Sequence, residues 1–178
     1  AFRGEGLLPE DWVSHGADLV AAADGTIQDA RDGVPDNTPV GAYVVPMTSE
    51  NAFGNYVVLD VGNRHQAFAV YAHLVPGSLR VKTGDAVVAG QVLGKLGNSG
   101  NSGAPHLHFH VCDGLGPMGG AGEAFYCNGL PYEIPAVTLL GTMPFDDVNA
   151  GIPFVPHDPP GSLVNELVLG EQVLNLGP

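Results

Sequence analysis

The sequence predicts an all-β domain, and three observations predict it. The 178 residues include 26 Gly and 15 Pro, a mix that suits short strands joined by tight turns better than long helices. The apolar runs are short and rich in β-branched and aromatic residues. Residues 106–111 (HLHFHV) alternate strictly, so His106, His108 and His110 share one face of a strand and Leu107, Phe109 and Val111 share the other.

In chain order, residues 1–15 are polar and without period, and they predict a lead-in loop. Residues 16–30 (GADLVAAADGTIQDA) predict a strand, a tight turn at Asp24-Gly25 and a second strand at about 26–30. Propensity also allows a helix over 19–23, but Gly16 and Gly25 leave it little room. Residues 31–41 form a Pro/Gly/Asn loop. The runs at 42–47 (AYVVPM), 55–62 (NYVVLDVG) and 66–74 (QAFAVYAHL) predict three further strands. Between 75 and 100 the apolar pairs are cut by Thr83-Gly84-Asp85, Ala89-Gly90 and Gly97-Asn98, a punctuation that suits a small closed β structure. The Gly/Asn/Ser loop at 97–103 is expected to be flexible and to frame a site at the mouth of the next strand. Residues 16–133 are expected to form the β domain. Residues 134–178 are expected to be an irregular, Pro-rich tail wrapping it, with one clear strand at 136–140.

Composition narrows the function classes. A hydrophobic content of 44% excludes a disordered or fibrous chain. No run approaches the roughly 20 apolar residues of a membrane span. A net charge of −13 with only 6 Lys+Arg excludes a nucleic-acid partner. The acidity reads as a solubility device, with attraction for a cationic partner as the second reading. Cys112 and Cys127 match no zinc-knuckle spacing. They are either a disulfide, which implies an oxidising compartment, or two free thiols. The chain opens at Ala1 without Met or a leader-like segment, so a removed leader or another missing N-terminal segment is expected.

Three histidines on one strand face point to chemistry, because imidazole is the commonest metal ligand and the commonest base near neutral pH. Neighbours at i and i+2 lie roughly 7 Å apart, close enough to serve one reaction centre. Chance histidines on a surface strand are the bland alternative. A fourth, His73, ends another strand in Tyr71-Ala72-His73-Leu74.

These residues belong to a larger pattern. Tyr71-Ala72-His73-Leu74, Gly84-Asp85-Ala86-Val87, Gly90-Gln91-Val92-Leu93-Gly94, Gly97-Asn98-Ser99-Gly100 and Pro105-His106-Leu107-His108-Phe109 resemble, in order and spacing, the lysostaphin/LytM-type zinc metallopeptidases. The resemblance covers about residues 16–112. It implies a compact barrel-sandwich hybrid, the duplicated hybrid motif of lysostaphin-like domains, with a groove floored by the strand around His108. It implies His106 as the catalytic base, His108 as a ligand of Zn2+ and His73 as the group that stabilises the oxyanion. It also implies hydrolysis of peptide bonds in peptidoglycan stem or cross-link peptides by a bacterial protein that is periplasmic or secreted.

The sequence departs from that pattern upstream. The family's other two ligands come from a His-x-x-x-Asp motif. The nearest match here, His15-Gly16-Ala17-Asp18, is one residue short, and on a strand its two side chains would point to opposite faces. The ligand pair is expected upstream of Ala1, with a natural loss of the zinc site as a second account and His15 and Asp18 as ligands the least favoured. His110 is expected to face solvent, with tuning of the charge of His106 and His108 as the other reading. His65 and His157 are expected to lie in polar loops, and Asp60 and Asp85 to be turn or solvated carboxylates and not ligands. The alternative function is a catalytically inactive member of the same fold, acting as a wall-binding or amidase-activating module. Two carrier classes fit less well. Lys82 and Lys95 lack the Met-Lys context of a biotinyl or lipoyl carrier, and the context of His106 and His108 suits a peptidase better than a phosphocarrier.

Overall fold

The computed structural model describes residues 2–62, 67–114 and 127–132 in full, and three strands beyond residue 133 through their backbone. The chain divides into two compact units, residues 1–130 and 131–178.

Among the described residues of the first unit, the regular structure is β apart from one 3-10 turn over Pro9–Asp11. Its strands are β1 (Asp18–Val20), β2 (Gly25–Arg31), β3 (Tyr56–Asp60), β4 (Ala67–Ala72), β5 (Ala86–Val87), β6 (Val92–Lys95), β7 (His108–Asp113) and β8 (Asn128–Gly129). Six of them form one antiparallel sheet in the order β5-β2-β3-β4-β7-β8, and β1 pairs with β6 in a second, two-stranded sheet.

Alternation along the strands sorts the side chains into two layers. Val57 and Leu59 of β3, Ala69 and Tyr71 of β4, and Phe109 and Val111 of β7 join Leu19, Ile27, Val87 and Leu93 in the main core. Residues between them point the other way: Val58, Val70 and Cys112 form a second cluster with Tyr56, Phe68 and Cys127. The register aligns this second face in rows, Tyr56–Ala72–His108, then Val58–Val70–His110, then Asp60–Phe68–Cys112. The histidine face expected from sequence is therefore the outer face of a sheet whose inner face is the core.

One strand expectation fails. Residues 42–47 form no strand, with a bend at 44 and 45. Their β-branched run finds no partner strand, and Tyr43, Val44 and Met47 stay exposed. Propensity alone does not make a strand where no ladder accepts it.

In the second unit, β9 (Ile134–Thr142) is flanked by β10 (Val155–Glu166) and β11 (Gln172–Asn175), both antiparallel to it. Besides the strand expected at 136–140, two more are present. The β9–β10 register breaks between Pro156 and Gly161, across a segment holding Pro159 and Pro160, which cannot donate to a ladder.

Candidate active site

His73 sits one residue past the end of β4, where the chain leaves the sheet. Its φ is +66°, the only left-handed conformation of a non-glycine among the described residues. Histidine tolerates this region better than most side chains, yet such a conformation costs on the order of 1 kcal/mol or more. Backbone bonds hold it: His73 N–H donates to Phe53 O at 2.9 Å, and Gly97 N–H donates to His73 O at 3.0 Å. The side chain is 3% exposed. Its Nδ1 lies 2.8 Å from Ser99 O. A carbonyl only accepts, so Nδ1 carries the proton and the neutral ring keeps a lone pair on Nε2. Burial pushes the His73 pKa down to about 4, so the ring is neutral at pH 7.

His106 precedes β7 and is exposed. Its Nδ1 donates to Ala104 O at 2.8 Å and lies 3.2 Å from Ser102 Oγ. Nε2 again keeps the lone pair. His108 opens β7. Its Nε2 is 2.9 Å from His110 Nδ1, and His110 Nε2 is 3.7 Å from Cys127 Sγ. Cys127 is bonded to Cys112. A disulfide sulfur has no proton, so His110 Nε2–H donates to it. His110 Nδ1 then accepts from His108 Nε2–H, and the free nitrogen of His108 is Nδ1. Burial lowers the pKa of both rings.

The three rings named from sequence come together. Ring centroids lie 4.8 Å apart for His73 and His106, and 5.7 Å apart for His73 and His108. Phe53 stands edge-on to His108 at 5.4 Å. His110, expected in solvent, is instead part-buried between His108 and the disulfide, because it occupies the same row of the sheet as Val58 and Val70.

The 97–103 loop is pinned, contrary to the flexibility expected of it. Asn37, Asn55, Asn98, Ser99 and Ser102 are all 0% exposed. Asn37 Nδ2 donates to Gly100 O and Ser102 O, and Asn98 Nδ2 donates to Asn37 O. Asn55 N–H donates to Ser99 Oγ, whose hydroxyl donates to Leu74 O. Gly54, at φ +60°, backs onto this loop so closely that a Cβ there would meet Ser99 at 2.5 Å. The loop thus holds both histidine Nδ1 atoms, through Ser99 O for His73 and through Ser102 and Ala104 for His106. Sequence reasoning missed Asn37, Asn55 and Phe53. The visible signals were an Asn after Pro35-Asp36 and the Phe53-Gly54-Asn55 turn before β3.

The remaining ionisable groups fall elsewhere. His15 Nε2 pairs with Asp36 Oδ2 at 2.9 Å, while Asp18 pairs with Lys95 at 2.8 Å, so His15 and Asp18 share no partner. Asp36 Oδ1 accepts from Asn98 N–H, which ties the His15–Asp36 pair to the same loop. Asp60 and Asp85 accept from Gly62 N–H and Lys82 N–H in turns, as expected. His157 falls on β10, and His65 lies outside the described residues.

The chemistry of a catalytic zinc calls for about three protein donors. His108 Nδ1 is one suitable donor. Among the described residues, the only set of three or more His, Cys, Asp or Glu with converging ligand atoms is His110, Cys112 and Cys127, and there the two sulfurs are bonded to each other. The described residues therefore do not complete a zinc site around His108.

The pattern of peptidase family M23 matches residues 11–119. Two curated relatives from Vibrio cholerae are the peptidoglycan DD-endopeptidases ShyA and ShyC. ShyA is 40% identical over 82 residues, which is 44% of this chain and 18% of the relative. ShyC is 40% identical over 79 residues, 42% of this chain and 17% of the relative. The chain thus spans less than a fifth of the length of these relatives. Among solved structures, the catalytic domain of the prophage-encoded M23 protein EnpA from Enterococcus faecalis is similar at 26% identity and a TM-score of 0.44, over 60% of this chain and 66% of that one. The M23 match runs through β1 to β7 and every strand that positions His73, His106 and His108, and by that match the chain belongs to peptidase family M23.

Proposed function

We propose that this chain carries the histidine side of a zinc-dependent endopeptidase site that hydrolyses peptide bonds of bacterial peptidoglycan, outside the cytoplasm. The observation that carries the reading is the meeting of His73, His106 and His108 with their free nitrogens set by hydrogen bonds. His106 Nε2 is the base: its proton-bearing Nδ1 is fixed on Ala104 O, so the opposite nitrogen is ready to take a proton from an attacking water. The His73 ring lies beside it with Nε2 unprotonated at pH 7, and that nitrogen donates to an oxyanion only after taking up a proton. His108 Nδ1 is the donor for zinc. A bound zinc supplies an acidified water and a polarised carbonyl. The disulfide supports an oxidising compartment, periplasmic or extracellular. The two curated DD-endopeptidase relatives support the peptidoglycan substrate.

The incomplete donor set around His108 favours a second reading, a wall-binding or amidase-activating module that no longer cuts. Incubation with purified sacculi in zinc-supplemented buffer, followed by mass spectrometry of released peptides, separates the two. The peptidase reading expects new peptide termini, lost in His106→Ala and His108→Ala. Sedimentation of the protein with sacculi and no cleavage by the wild type would favour the module. The oxidised 178-residue chain is expected to lose its zinc on dialysis, because one certain donor holds it weakly.

A further inference from the structure

The disulfide lies on the histidine face of the sheet, two residues along β7 from His110, and the peptidase reading gives it no metal-binding role. We propose that the Cys112–Cys127 disulfide caps a latent second metal site, in which His110 Nε2 and the two thiolates released by reduction hold one thiophilic divalent cation such as Zn2+.

Three observations carry this inference. The ligand atoms of His110, Cys112 and Cys127 all lie within 4.8 Å of one another. Around a tetrahedral zinc, with Zn–S near 2.3 Å and Zn–N near 2.0 Å, neighbouring donors stand about 3.5–3.8 Å apart. His110 Nε2 and Cys127 Sγ are already 3.7 Å apart. The two sulfurs must separate to reach that spacing, and their Cα atoms are 5.6 Å apart.

The backbone that presents the donors does not depend on the disulfide alone. Cys112 pairs with Gly129 and Asp113 with Asn128 in the β7–β8 ladder, and Leu130 N–H donates to Val111 O at 2.8 Å. His110 and Cys112 alternate onto one face of β7. The surroundings also fit. Cys112 is fully buried in the cluster with Val58 and Val70, where a low dielectric strengthens thiolate–cation attraction. Cys127 is part-buried beside the exposed residues 128 and 129, which gives reductant and metal a way in.

The chemistry balances with a dithiol reductant. Two electrons from the dithiol break the Cys112–Cys127 bond, two protons pass to the sulfurs, and the dithiol closes to its own disulfide. Metal binding then displaces both protons. It also uses the Nε2 lone pair of His110, so the ring proton moves to Nδ1 and donates to His108 Nε2, the outer partner that orients a ligating imidazole. The His108 proton passes to its Nδ1, so filling this site withdraws the donor proposed for the first zinc and the two sites are alternatives.

The test uses the full chain, reduced with a phosphine that does not compete for metal and titrated with Co2+. The expected result is one equivalent bound with a near-ultraviolet sulfur-to-cobalt charge-transfer band. That band is absent from the oxidised chain and unaffected by His106→Ala, which removes no donor of this site. In His110→Ala, with near-ultraviolet circular dichroism reporting the fold, cobalt affinity should fall at least tenfold. A reduced wild type without the band would overturn the proposal. So would a band of equal affinity in His110→Ala, including one from a reduced chain that has unfolded and binds through thiolates alone. Because the charge-transfer band needs sulfur, failure of the peptidase reading leaves this result unchanged.

Discussion

His73 shows how a single residue combines strain, burial and proton affinity. Its left-handed backbone turns the chain out of β4 just where the ring must meet His106, and its Nδ1–H is committed to Ser99 O. The lowered pKa has a consequence for stability with a definite sign. In the unfolded chain the ring titrates near 6.5, and in the folded chain at about 4. Between those values the unfolded state binds the extra proton, so stability is complete above about pH 6.5 and is lost as the pH falls toward 4. At 1.36 kcal/mol per pKa unit, the loss reaches about 3 kcal/mol by pH 4. His108 and His110 shift in the same direction and add to it. Urea midpoints measured from pH 7 to pH 4.5 should therefore fall for the metal-free protein. They should fall less steeply for His73→Asn, since Asn accepts the left-handed conformation and does not titrate. An unchanged slope in that variant would place the acid sensitivity elsewhere.

At the scale of elements, the site depends on a clamp between two irregular segments. Asn37 reaches from the 31–41 loop to the carbonyls of Gly100 and Ser102, and its Oδ1 accepts from Val44 N–H at 3.1 Å. Truncating it removes one of the two donors to Gly100 O, which keeps Ser102 N–H, and leaves the Ser102 carbonyl and the Val44 amide without these partners, each a cost of about 1–3 kcal/mol before relaxation. Asn37→Ala is expected to destabilise the protein by about 2–4 kcal/mol in urea unfolding and to weaken His106 positioning through Ser102. A change below about 0.5 kcal/mol would show that the loop holds itself. Such clamps are hard to see in sequence. A Gly/Asn/Ser loop has the same composition whether its amides face water or other buried amides, so residues 97–103 looked flexible. Strands were legible where alternation had a partner to face, as in β3, β4 and β7. At 42–47 the β-branched run was legible but its missing partner was not.

For the whole molecule, the three histidines were readable because strict alternation after Pro105 set the side chains of one strand and a second motif supplied His73. Their convergence was carried by the family resemblance and not by local pattern. The rows that put His108 beside Ala72 and His110 beside Val70 follow from long-range register, which no single segment specifies. The same limit applies to the end of the chain, where prolines concealed a three-stranded sheet. Both core clusters and the 97–103 clamp are built from residues before 131, and the chain divides at Leu130. Residues 1–130 are therefore expected to fold alone, with a thermal midpoint within a few degrees of the full chain and with the Nδ1–H signals of His73 and His106 retained in proton NMR. The expected tail that wraps the barrel predicts the opposite. A domain stripped of such a cover would expose apolar surface at about 25 cal/mol per Å2, so a few hundred Å2 would lower the midpoint by many degrees. Thermal unfolding of the two chains side by side decides between a self-sufficient peptidase-like domain and one that needs its C-terminal unit.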